Sequence, residues 1–440
     1  MRYLEFWERF LEAEAKADVF NIKTVGYQLY PMLRTRLYYQ LAQQLGIFDN
    51  PHPNPEPKDQ PASFQSPLEL GIKSEIFVVP FVRTIGGVDV YSQPIVEELG
   101  ARASVLPVSD PAANLDLERI KAWAKDHFDR KVFDMMLKEK VRDVRDRWAV
   151  MAELFQQTLG TDLGKFTEFP NWLVRRYVSE CMGFKEFFES AGTKKLYIVN
   201  AYSHPSVVTG AKQAGVKVIE IQHGFISEYH PAYSYPATRI QAAPNGLLVW
   251  GDYWRKAAKF PKGMKAITTG PSLAFLKQRS QIDPGKRVAK TIMFTSQGAV
   301  GLKLFEQAIH WANKLSDWQI TFRLHPNEDL ADFQKVKLPK NLSLSHKTPT
   351  FLELLSTHEY LVGGFSTTLY EGLSFGLKVI VLPLDGFENV NQAIANGDMA
   401  LAPMNPGVSE LVELLQSSKV CHNPYSYYAK DLNVKKALRA

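Results

Sequence analysis

Four short segments of the 440-residue chain concentrate side chains able to do chemistry. The richest, Tyr360 to Pro383, reads YLVGGFSTTLYEGLSFGLKVIVLP. An apolar run ends at Gly363-Gly364, the hydroxyls of Ser366, Thr367 and Thr368 follow, and Glu371 falls one turn later. Glycines there let a ligand approach the backbone. Hydroxyls and unpaired N–H groups at a helix start form an anion site, reinforced by the helix dipole. Glu371 is placed to reach a ribose diol. N-capping alone would explain the hydroxyls, but the glycine pair, hydroxyls, Glu371 and Gly376 together favour phosphate and ribose. The second segment, Ile320 to Glu328, reads ITFRLHPNE. A strand there carries Arg323 and His325 on one face until Pro326 stops it. Arginine offers a donor fork for phosphate, and histidine a donor or acid for a departing one.

The third segment, Val216 to Pro236, ends an apolar strand at Gln222-His223-Gly224, with His230 and Tyr233 beyond. A turn at Gly224 would expose His223, whose ordinary pKa suits a general base. His230 and Tyr233 are acceptor-binding candidates. A metal pair of His223 and His230 lacks further ligands at recognisable spacing. The fourth, Pro80 to Asp89, places Arg83, Gly86, Gly87 and Asp89 after a strand. Asp89 is a second candidate base, and Arg83 and Gly87 candidate acceptor contacts. It is neither GxGxxG nor a Walker loop.

All four segments sit at strand ends, so parallel sheets must position them. Strand-like runs are Ile76–Pro80, Ser104–Pro107, Leu196–Asn200, Val216–Ile221 and Leu247–Trp250, then Thr291–Thr295, Ile320–Leu324, Leu342–Ser345, Tyr360–Gly363 and Val379–Pro383. Helical patterns lie between them, which predicts two doubly wound α/β domains. In such sheets ligands bind beyond the carboxyl ends of the strands. The expected divisions are a helical extension 1–48, a proline-rich linker 49–74, a first domain 75–275 with a helical insertion at about 113–192, and a second domain 276–440. Tyr27, Tyr30, Leu33, Arg34, Arg36, Tyr38 and Tyr39 mix aromatic and basic character. A helical cap on the first domain is the preferred reading of them, contact with anionic lipid the alternative. Trp7, Trp148, Trp172 and Trp311 read as core; Trp250 and Trp254, after a strand end, have a better claim to substrate.

Composition narrows the classes. Hydrophobic residues make up 45% and charged residues 22%, ordinary for a globular protein. The balance of 52 Lys+Arg against 46 Asp+Glu gives a net +6, which suits anionic substrates or an acidic membrane surface better than nucleic acid. Two cysteines build neither a disulfide framework nor a cysteine zinc site. With no signal-peptide pattern and no apolar run of membrane length, a cytoplasmic location is expected, peripheral contact at the inner face of the cell membrane being the alternative.

The GGFSTTLYEGLSFGLKVIVLP segment resembles the donor site of GT-B glycosyltransferases. The RLHP and Ser-Thr pair is similar to the His-Pro and Ser/Thr motifs of bacterial sialyltransferases, Kdo transferases and CDP-glycerol polymerases. This resemblance implies a GT-B fold, two Rossmann-like domains facing a central cleft. It implies Ser366, Thr367, Thr368 and Gly364 around donor phosphates, with Arg323 and His325 beside them, Glu371 on ribose and His223 as base. The implied activity is metal-independent transfer of a sugar from a nucleotide-activated donor, a CMP-sugar favoured over UDP or GDP. The acceptor would be a hydroxyl of a bacterial surface glycan, capsule or lipopolysaccharide O-chain, free or lipid-linked. No cofactor, metal or nucleic acid is called for. The alternatives are a CDP-polyol phosphotransferase, a UDP-sugar 2-epimerase and a non-catalytic glycan-binding scaffold. The acidic motif of the sialyltransferases is absent, Gln222-His223-Gly224 standing in its place.

Overall fold

The computed structural model describes residues 2–48, 66–81, 89–110, 112–139 and 142–440. Arg83, Gly87 and most of the proline-rich stretch lie outside the described residues. An antiparallel hairpin, β1 (Lys23–Thr24) and β2 (Tyr27–Gln28), precedes two six-stranded parallel sheets. The first contains β3 (Ile76–Val79), β4 (Ser104–Val105), β5 (Lys195–Val199), β6 (Lys217–Ile221), β7 (Gly246–Val249) and β8 (Lys265–Thr268), in the order β4-β3-β5-β6-β7-β8. The second contains β9 (Thr291–Thr295), β10 (Gln319–Arg323), β11 (Leu342–Ser345), β12 (Tyr360–Gly363), β13 (Lys378–Val381) and β14 (Ala400–Leu401), in the order β11-β10-β9-β12-β13-β14.

Helices cover both faces of these sheets, so the central strands are largely buried. Every residue of β9 and of β12 is buried. The register pairs Phe322 with Phe294 and Val362 with Phe294, stacking the three central strands level at their carboxyl ends. The order reverses between β9 and β12 in one sheet and between β3 and β5 in the other. Each reversal opens a crevice at the strand ends. The fold is therefore α/β with two Rossmann-like halves, the GT-B arrangement expected from the sequence. The hairpin β1–β2, inside the stretch expected to be helical, escaped that reading, as did two strands of the large sheets, β8 and β14. Both are edge strands, half-exposed or only two residues long, and edges carry weak apolar patterns.

Helices Leu117–Lys138, Arg142–Leu159 and Asn171–Ala191 form the insertion between β4 and β5. Helices Tyr3–Lys16 and Arg34–Gln44 pack on the first domain. Phe6, Trp7, Phe10, Tyr30 and Tyr38 are buried in the same core as the first sheet. At its centre Arg34 is fully buried and grips Glu14 through Nε at 2.6 Å and Nη2 at 2.9 Å. Its Nη1 donates to the carbonyls of Ser234, at 2.6 Å, and Pro231, and its guanidinium lies 4.4 Å from the Tyr235 ring centre. Burial opposes the charge, but the Glu14 carboxylate outweighs it and holds Arg34 above its ordinary pKa. Most of the aromatic and basic stretch packs as a cap: Tyr27, Tyr30, Leu33, Arg34 and Tyr38 are buried, while Arg36 and Tyr39 are exposed. Trp172 reverses another expectation, being 61% exposed.

The C-terminal residues leave the second sheet and return to the first. Ala429 and Asn433 donate backbone N–H groups to Trp250 and Thr269 at 2.8 and 2.7 Å, and Tyr197 Oη donates to Ala437 at 3.1 Å. Gly251 and Gly270 make this passage feasible. A Cβ at either would strike the backbone of Ser426–Tyr427 or Asp431, and Gly270 has φ +97°. Trp250 stacks on Tyr428 with ring centres 5.1 Å apart, and Trp254 Nε1 donates to the Tyr427 carbonyl at 2.6 Å. Both tryptophans thus hold the returning segment, correcting their assignment to substrate.

Among the described residues no helix is long and apolar enough to cross a membrane.

Candidate active-site cleft

In the second domain, the crevice lies between the loops after β9 and β12. Ser296 to Val300 leads into helix Gly301–Lys314, and Gly364 to Ser366 leads into helix Thr367–Ser374. Both helices start at the crevice and turn their N-terminal dipole ends toward it. Gln297 Oε1 accepts from Phe365 N at 3.1 Å and so ties the two loops together. A side chain on Gly364 would meet that same Gln297 oxygen at 3.5 Å. Ser366 caps its helix, its Oγ accepting from Thr368 N at 3.3 Å. The Thr368 hydroxyl is buried and has no hydrogen-bond partner, a donor or acceptor that costs free energy until a ligand meets it.

The loop after β10 joins the same crevice. Glu328 accepts from His325 N at 2.7 Å with one oxygen and from Ser296 Oγ at 2.8 Å with the other. His325 Nδ1 accepts from Asn327 N at 3.3 Å. That bond leaves Nε2 as the protonated nitrogen of the neutral ring. Arg323 is not brought to the crevice. Its Nη1 reaches the other way, to Ser345 Oγ and the Pro349 carbonyl, both at 2.8 Å beyond β11. Burial lowers its pKa from the ordinary value. Lys303, in the first turn of helix Gly301–Lys314, lies 3.6 Å from Asp385, which follows β13. Glu371 sits one turn into helix Thr367–Ser374, and burial pushes its carboxyl up to about 7. Tyr428, from the returning C-terminal segment, lies within its electrostatic reach.

The facing wall belongs to the first domain. The Gln222-His223-Gly224 turn follows β6, and Phe225 N donates to Thr367 Oγ1 at 3.1 Å across the cleft. The two segments singled out from sequence thus touch. His223 Nε2 lies 3.3 Å from Tyr202 Oη, and its ring packs against Phe81 and Tyr91. Beneath it, Glu220 Oε1 accepts from Tyr233 Oη at 3.0 Å and from Ala201 N at 3.1 Å. Burial pushes that carboxyl up to about 7.

Three other candidates serve structure here. His230 is buried against Phe225, Tyr202 and Tyr233, its Nδ1 accepts from Ala232 N at 3.2 Å, and burial lowers its pKa to about 3. It is a neutral support, and Tyr233, buried and bonded to Glu220, is another. Asp89 is buried and accepts from Tyr91 N, Ser92 N and Ser92 Oγ at 3.1, 3.2 and 2.5 Å. Both its oxygens are occupied by its own turn, so it is not placed as a base.

Sequence reasoning missed Ser296, Gln297, Lys303, Glu328 and Tyr202. Only Glu328 lay inside a segment already singled out. Ser296, Gln297 and Lys303 became visible once the topology put β9 beside β12, and Tyr202 once it put β5 beside β6. Among the described residues, no group of three or more His, Cys, Asp or Glu side chains is placed to hold a metal ion.

No family model matches the sequence, and no curated protein does. Solved structures share its plan at low identity. MurG from Acinetobacter baumannii is 10% identical, over 83% of this chain and 98% of that one, with a TM-score of 0.46. The UDP-GlcNAc 2-epimerase of Methanocaldococcus jannaschii, in complex with UDP-GlcNAc and UDP, is 12% identical over 84% and 99%, also at 0.46. A glycosyltransferase from Rickettsia africae is 11% identical over 83% and 97%, at 0.47. The assignment of the fold rests on the strand order and register described above.

Proposed function

We propose that this chain is a glycosyltransferase that moves a sugar from a nucleotide-activated donor to a hydroxyl of a glycan. The observation that carries the reading is the opposition of two segments across one cleft. A switch-point crevice with an unpartnered Thr368 hydroxyl, His325 and Glu371 meets the His223 turn through the Phe225–Thr367 hydrogen bond. Two helix starts and the Lys303 ammonium would stabilise donor phosphates, and His325 Nε2 would donate to the leaving phosphate oxygen. Glu371 would accept from ribose hydroxyls. His223 would take the proton of the attacking hydroxyl, with Tyr202 fixing its ring. A CMP-sugar donor and a capsule or O-chain acceptor are the specific forms we favour, from the resemblance of the RLHP and Ser-Thr segments.

The test is release of free nucleotide when the chain is incubated with CMP-, CDP-, UDP- or GDP-sugars and bacterial oligosaccharide acceptors. The proposal expects acceptor-dependent release from one nucleotide class, abolished in His223→Ala. Release from none of the four, or undiminished release in His223→Ala, would overturn it.

A further inference from the structure

Beyond the Phe225–Thr367 contact the chain continues to Ser227, whose Oγ donates to Asn389 at 2.5 Å and again joins the two domains. There a second groove opens, of about 510 Å³, with one wall from the first domain and one from residues 388–395 of the second. That volume falls within the roughly 300–1,000 Å³ of small-molecule sites. Its lining alternates ring faces with polar groups. Tyr229 and Tyr253 supply half-buried rings, and the Tyr229 phenol is tied to Asn391 and Glu228. Glu388 is only 7% exposed, yet its Oε2 is buried without a hydrogen-bond partner. Burial, with Asp385 nearby, raises its carboxyl above the usual range.

An unpartnered buried oxygen is a liability unless a ligand supplies a hydrogen bond. The charges around it define that ligand. Glu388 and Glu228 disfavour an anion, while Lys256 and Lys259 on the rim disfavour a cation. A neutral polyhydroxylated molecule fits both. Its hydroxyls can donate to Glu388 or accept from it, so either protonation state is served, and its C–H faces can lie on the tyrosine rings. We propose that this groove binds a neutral oligosaccharide, the part of the acceptor glycan beyond its reacting end. Only the word acceptor rests on the transferase reading; glycan binding does not.

A glycan array of defined bacterial and synthetic oligosaccharides, probed with the full chain, tests it. Gln392 is exposed at the groove's edge, so Gln392→Trp fills the opening with the fold intact. The expected result is selective retention of neutral oligosaccharides by the wild type, lowered about tenfold in Gln392→Trp, with a smaller loss in Glu388→Gln. No retained glycan, or retention unchanged in Gln392→Trp, overturns the groove. Turnover of donor in the same preparations separates the two ideas. Glycan retention without nucleotide release keeps the groove and removes the transferase. Acceptor-dependent release with retention unchanged in Gln392→Trp does the opposite.

Discussion

The two walls of the cleft are built by different means. The second-domain wall is local: its loops follow β9, β10 and β12 directly, and their main ties run among Ser296, Gln297, His325, Glu328 and Phe365. The first-domain wall depends on remote segments. Arg34, about 200 positions away in sequence, grips the carbonyls of Pro231 and Ser234. Tyr3 Oη donates to Tyr229 O at 3.3 Å and accepts from Asn389 Nδ2 at 3.0 Å, so the N-terminal helix bridges both domains. The difference teaches that one wall comes preassembled by its own sheet, while the other is held in place by the N-terminal helices and the returning C-terminus.

Breaking the remote support should give the largest effect. Arg34→Met leaves Glu14 buried without its partner and two carbonyls without a donor, and should cost about 3–5 kcal/mol. Denaturant midpoints would show it. Adding Glu14→Leu should recover much of the loss; a single variant as stable as wild type would break the contrast between the walls. On the local wall, His325→Ala should leave the midpoint nearly unchanged but weaken nucleotide binding about tenfold or more, the scale of a hydrogen bond to a charged group.

A smaller effect concerns pH. Glu371 has its folded pKa raised by burial to about 7, from an ordinary 4.5. Between those values the folded state holds a proton that the unfolded state has released, so stability falls as pH rises from about 4.5 to about 7. Glu371→Gln should flatten that part of the stability-against-pH curve relative to wild type. An unchanged slope would mean that the carboxyl is not desolvated. Smallest of all, Tyr428→Phe removes a buried hydroxyl that has no partner and should change stability by less than about 1 kcal/mol, in the stabilising direction if at all. A large loss would reveal an undetected role at the junction of Glu371 and the C-terminal return.

The same contrast explains what was legible in the sequence. Short apolar runs between helical patterns announced ten of the twelve strands of the two large sheets, and the Gly-Gly-Phe-Ser-Thr-Thr turn announced the local wall. Hydrophobic period cannot say which strand lies beside which, so Gln297 stayed hidden until β9 and β12 became neighbours. Arg323 was misread because alternation along β10 gives a face but not a lateral direction. Arg34 is legible only as part of a basic and aromatic cap, because its buried guanidinium needs Glu14 and two distant carbonyls, none visible locally. Trp250 and Trp254 were misjudged for a similar reason, the C-terminal segment that covers them lying more than 170 residues away.

The central claim is that the β9–β12 crevice takes a nucleotide. Calorimetric titration of CMP-, CDP-, UDP- and GDP-sugars into the wild type and into His325→Ala tests it most directly. The account predicts saturable binding of one nucleotide class to the wild type and affinity about tenfold or more weaker in the variant. Binding of none, or equal affinity in both chains, would contradict it.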